Sequence, residues 1–169
     1  MGDAASPDVA GLSKQLASTD AEQRAAAAEQ LSQAGEEAAV AAVPLVTACG
    51  DADDRVREFA VAALEDLGTP SAADIPALIK LVDSADPLAA YWAITLLGRS
   101  GKNAVESVAV LVACVESSAD LSVRQRAAWA LGKIGPAAGA ARGTLKRAAG
   151  QENERLARLA KEALESIGG

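Results

Sequence analysis

The side chains best able to do acid–base or metal chemistry in this sequence are its carboxylates. Asp51, Asp53 and Asp54 stand together, as do Glu36 with Glu37 and Glu65 with Asp66. A hydrolytic acid pair needs one carboxyl held in a cleft with a raised pKa, and nothing in the sequence places these acids in a cleft. A calcium loop needs a central glycine and a distal glutamate, which the Asp51–Asp54 cluster lacks. That cluster precedes a helix, where negative charge suits the positive end of the helix dipole. A solvated helix start is therefore the plainer reading. The chain has no histidine, which excludes His-based triads and HExxH zinc sites. Its two cysteines, Cys49 and Cys114, occupy apolar registers two repeats apart. With helices packing about 8–10 Å apart, that is too far for a disulfide or a shared metal, so buried thiols are expected. No GxxxxGK phosphate loop occurs, and Gly98 and Gly101 read as a helix ending. The expectation is a non-enzyme with no catalytic, cofactor or metal site.

The elements that carry these residues repeat. Glycines recur at Gly35, Gly68, Gly101, Gly135 and Gly168. In the same frame stand Asp20, Asp53, Asp86, Asp120 and Asn153, then Ala27, Ala60, Ala93, Ala127 and Ala160, then Leu31, Leu64, Leu97, Leu131 and Leu164. Each column has a physical role. Asp or Asn is a helix N-cap. Alanine and leucine four residues apart share one helical face. Glycine can take the left-handed conformation that ends a helix. A second helix follows each first one, marked by Leu12, Leu45, Leu78, Leu111 and Leu145 and by Leu16, Cys49, Val82, Val115 and Ala149. Loops of a few residues are expected between the two. Pro76 suits a helix start, whereas Pro44 is expected to kink its helix. The reading gives ten helices: one at 8–17, pairs from about 20, 53, 86 and 120, and a last one at 153–167. Half of the sequence is hydrophobic and only 2% aromatic, which agrees with closely packed all-α structure.

The register resembles the HEAT-repeat family, in particular its short bacterial, phycobilisome-lyase-like repeats. The segments DDRVREFAVAALEDLG (53–68), IPALIKLV (75–82) and LSVRQRAAWALGKIG (121–135) carry the resemblance. It implies a right-handed α-solenoid of four repeats with a half repeat at each end. It also implies an inter-repeat ladder of polar contacts joining Asp20, Asp53, Asp86 and Asp120 to Arg24, Arg57 and Arg124. Ala90 and Ala157 interrupt the arginine column. An anion site on those arginines is the alternative, but recurrence once per repeat favours the structural role. The fold hosts scaffolds, lyase subunits and regulators alike, so it does not fix a function.

Residues 1–169 are expected to form one repeat domain with residues 1–7 flexible. Polar residues at both ends suggest solenoid caps: Ser13 and Gln15 replace apolar residues of inner repeats at one end, and Lys161 and Glu162 do so at the other. A protein or peptide partner is expected on the second-helix surface, in the column Lys14, Thr47, Lys80, Ala113 and Arg147. The aromatics are few enough to matter. Rings filling gaps between alanine-rich helices are the plainer account, but Trp92 and Arg126, in adjacent repeats, are candidates for a partner hot spot. Residues 1–121 hold 7 basic and 19 acidic residues, and residues 122–169 hold 9 basic and 4 acidic. Such polarity can orient a partner. The net charge of −7 argues against a nucleic-acid partner and hence against a HEAT-like DNA glycosylase. A bilin lyase-type chaperone is the other alternative. No apolar run long enough for a membrane span is present, and the first residues lack signal-peptide character. A cytoplasmic monomer is expected.

Overall fold

A computed structural model describes residues 8–168; the stretch 1–7, expected to be flexible, lies outside the described residues. They fall into two compact units divided between Gly68 and Thr69. The first contains α1 (Val9–Gln15), α2 (Ala21–Ser32), α3 (Ala42–Ala48) and α4 (Asp54–Asp66). The second contains α5 (Ile75–Leu81), α6 (Pro87–Arg99), α7 (Val108–Ser117), α8 (Leu121–Ile134), α9 (Arg142–Ala149) and α10 (Glu154–Ile167). The even-numbered helices are the first helices of the repeats and the odd-numbered ones the second.

Both boundary columns do what local chemistry requires. Asp20, Asp53, Asp86, Asp120 and Asn153 are the N-caps of the even-numbered helices, each accepting from a first-turn amide. This satisfies donors that have no partner within the helix. The five repeat glycines have φ of +54° to +89°, and no other described residue has a φ in that region. A side chain there would be strained, so the glycine sets where each first helix stops.

In the first unit α2 packs on α4, and α3 packs on α4. Ala27, Ala28, Leu31, Leu45, Val46, Ala60 and Leu64 are fully buried there. In the second, α8 lies between α6 and α10, with α7 against α8 and α9 against α10, each the first helix of the following repeat. Leu97, Leu111, Leu131, Leu145 and Leu156 fill its core. The last repeat slips slightly. Leu164 and Ala149 are half-buried, and Ala163, Ile167 and Ala148 take the interior places. Lys161 and Glu162 are exposed at the registers where Ile94, Ala128 and Thr95 are buried.

The connections differ from the expected plain loops. Three of them, Gly35–Ala41, Gly101–Ser107 and Gly135–Ala141, are seven-residue 3-10 stretches, and Ala72–Asp74 is a shorter one. Small residues make the long ones possible. Ala38, Ala104 and Ala138, with Ala41, Ser107 and Ala141, are all fully buried, so this tight backbone nests against the helices. Pro44 introduces no kink. It sits in the first turn of α3, where an amide has no helical acceptor to lose.

Candidate functional site

The arginine column makes a ladder, but not with the N-cap aspartates. Those carboxylates are occupied by helix amides. Arg24 instead forms a two-pronged pair with Asp51, Nε to Oδ2 at 2.7 Å and Nη2 to Oδ1 at 2.9 Å, and donates to the Ser18 carbonyl at 2.9 Å. Arg24 holds the Asp51 carboxyl below its ordinary pKa. Arg57 donates to the Asp51 carbonyl at 2.6 Å and pairs with Asp54. Arg124 donates to the Val115 carbonyl at 3.0 Å and to Gln151 Oε1 at 2.6 Å. Asp51 and Gln151 each stand two residues before an N-cap, so the ladder's acceptor is that position rather than the cap itself. Asp53 both caps α4 and pairs with Arg55, at 3.0 Å. The acidic cluster is thus committed to structure. Among the described residues no group of three His, Cys, Asp or Glu side chains could hold a metal ion.

Where the column breaks at Ala90, a hollow of about 330 Å³ opens, lined by residues including Ser84, Ala90, Cys114, Ser118 and Asp120. Ser118 occupies the place that Asp51 holds in the first unit. Cys114 borders the hollow, and burial, with the nearby Asp83 charge, pushes its thiol up to about 11. Cys49 is fully buried.

The second-helix column is exposed as expected at Lys14, Thr47, Lys80, Ala113 and Arg147. Thr47 returns its hydroxyl to the Val43 carbonyl at 3.0 Å. Arg147 is tied to Glu116, whose carboxylate also accepts from Thr144 at 2.6 Å. The two hot-spot candidates separate. Trp92 is 7% exposed and packs edge-on against Tyr91 at 5.8 Å, so it is core and offers no face to a partner.

Arg126 has a different setting. Its guanidinium lies 4.3 Å from the Tyr91 ring centroid and 4.7 Å from that of Trp129, and it donates to the Tyr91 hydroxyl. Gln125, beside it, donates to Asn153 Oδ1 at 3.1 Å. These residues, with Ser122, Arg155 and Leu159, line a cleft of about 250 Å³. Burial, then the like charge of Arg155, lowers the Arg126 pKa. Tyr91 and Arg155 carried no signal in the sequence beyond rarity and charge. Their meeting depends on how α6, α8 and α10 pack.

A family model described as HEAT repeats matches residues 9–75 and 75–167. Among solved structures, an engineered protein is 25% identical, with a TM-score of 0.65 over 95% of this chain and 79% of its own. The complex of CpcE and CpcF of phycocyanin lyase from Nostoc sp. PCC7120 is 22% identical, with a TM-score of 0.66 over 99% of this chain and 68% of that one. A designed armadillo repeat protein in complex with the peptide (KR)4 is 20% identical, with a TM-score of 0.65 over 94% and 81%. The last two show the fold alone, and that fold is the expected all-α solenoid class. None of the curated proteins compared matches the chain.

Proposed function

The chain belongs to the HEAT-repeat family, and from that premise we propose that it is a non-catalytic module binding a protein or peptide through its second helices. The carrying observation is that one register of those helices is exposed in both units: Lys14 on α1 and Thr47 on α3, then Lys80 on α5, Ala113 on α7 and Arg147 on α9. The neighbouring registers Leu12, Leu45, Leu78, Leu111 and Leu145 are buried. Within each unit the helices already fix the backbone that carries these side chains, which lowers the ordering cost of binding. The peptide complex of the designed armadillo protein supports the reading by showing such a fold with a peptide bound.

The test is affinity capture from the native host with tagged wild-type protein and the K80E/R147E double variant. A partner retained by the wild type and lost from the variant is expected. No partner, or equal retention, rejects the proposal. The bilin lyase reading rests on the fold likeness to CpcE and CpcF. A bilin wants an apolar chamber, and the hollows described above are edged by charged and hydroxyl groups. Unchanged bilin absorbance on mixing removes that reading.

A further inference from the structure

Several arginines elsewhere in this molecule meet a carboxylate at close range. Arg24 has Asp51, Arg55 has Glu22 and Asp53, Arg147 has Glu116 and Arg158 has Glu162. Neither Arg126 nor Arg155 forms an ion pair among the described residues, although they line the same cleft. A half-buried guanidinium with a like charge beside it and no carboxylate is an expensive arrangement. Stacking on Tyr91 and Trp129 offsets part of that cost, and the Tyr91 hydroxyl takes one of its five N–H donors. No carboxylate lines the cleft.

Resting on the interaction reading above, we propose that this cleft is a carboxylate-binding subsite that takes an aspartate or glutamate side chain of a partner peptide. A carboxylate can accept two parallel hydrogen bonds from one guanidinium, with Arg155 supplying the second positive charge. The ring of Trp129 and the side chain of Leu159 flank the space where the methylene stem would lie. At about 250 Å³ the cleft falls below the ~300–1,000 Å³ of small-molecule pockets, a size suited to one or two side chains. Residues 122–169, with 9 basic and 4 acidic residues, draw an acidic segment to this end. Two unpaired cations on a chain of net charge −7 are too few for a nucleic-acid groove. The cleft lies on first helices, away from the Lys80 and Arg147 register.

The test follows the arginine Nε–Hε resonances of isotope-labelled whole protein. The probes are a terminally blocked tetraglutamate peptide, the matching tetraglutamine peptide and inorganic phosphate. Tetraglutamate is expected to shift Arg126 and Arg155 selectively, with tetraglutamine inert. R126Q and R155Q each weaken binding about tenfold, a loss of ~1.4 kcal/mol, while K102Q, at an exposed position outside the cleft, changes it less than about twofold. Arg155 is exposed, so R155Q tests the subsite even if R126Q disturbs packing. Absent shifts, shifts spread over all arginines, or undiminished binding by R155Q overturn the proposal. Phosphate shifting these resonances where tetraglutamate does not also overturns it. The broader reading fails independently, through the capture experiment with K80E/R147E.

Discussion

The indole of Trp129 on α8 lies directly over Gly98 on α6. A Cβ built at residue 98 would meet Cε3 at 3.0 Å and Cζ3 closer still. Gly132, three residues before its own terminating glycine as Gly98 is, faces α10 in a similar way, with Ala163 Cα 3.0 Å from its ideal Cβ. Glycine inside these first helices therefore sets how closely neighbouring repeats approach.

Two opposing effects meet at Gly98. Alanine would gain about 1 kcal/mol of helix propensity, but overlap with a rigid ring costs about 1–3 kcal/mol. Because Arg126 stacks on the ring of Trp129, the ring has little freedom to retreat, and the overlap wins. Urea denaturation should show G98A destabilised. Adding W129L should return part of the loss, and a G98A protein as stable as wild type would rule out this contact.

Acid titration should report the Arg24–Asp51 pair. The folded pKa of Asp51 is depressed below the ordinary 3.8, chiefly by its hydrogen bonds from Arg24. The pair's stabilisation is thus fully present above that ordinary value and is lost as pH falls through the folded pKa. In R24Q the Asp51 carboxyl should titrate closer to 3.8 by carbon-detected NMR, with acid unfolding beginning at higher pH. It will not recover completely, because the Asp53 amide still donates to Asp51 at 2.9 Å.

The hollow at Ala90 should accept the arginine that the column omits. An arginine at 90 has the Ser84 carbonyl where Arg24 has that of Ser18, and S118D supplies the counterpart of Asp51. A favourable pair of this kind is worth up to about 1 kcal/mol, which raises Tm by about 2–4 °C in a domain of this size. Calorimetry of A90R/S118D checks it. A lower Tm than wild type means the hollow cannot seat a guanidinium.

Cys114 should be chemically silent in the native state. With its thiol pushed up to about 11, the thiolate fraction at pH 8 is on the order of one in a thousand. Iodoacetamide should label it only after denaturation. Since its folded pKa lies above the ordinary 9.0, its contribution to stability is full below pH 9 and declines as pH rises towards 11. Rapid labelling of native protein at pH 8 would contradict this.

What could be read from the sequence alone was whatever depends on a few neighbouring residues. An N-cap such as Asp86 serves amides two and three positions on, and Gly101 ends a helix through its own φ. The periods of alanine and leucine place core faces by helix geometry. Those interactions are local, so their spacing is written directly in the chain and repeats with it. Packing decided the rest. Arg24 finds Asp51 across 27 positions and Arg126 finds Tyr91 across 35, choices that depend on how helices from different repeats meet. The family pattern suggested the N-cap aspartates as the arginine partners, but backbone amides had already claimed them. Likewise Trp92 and Arg126 share one register, yet one is core and the other lines an open cleft. Only the tertiary structure, through the rings and the glycine facing each side chain, could separate them.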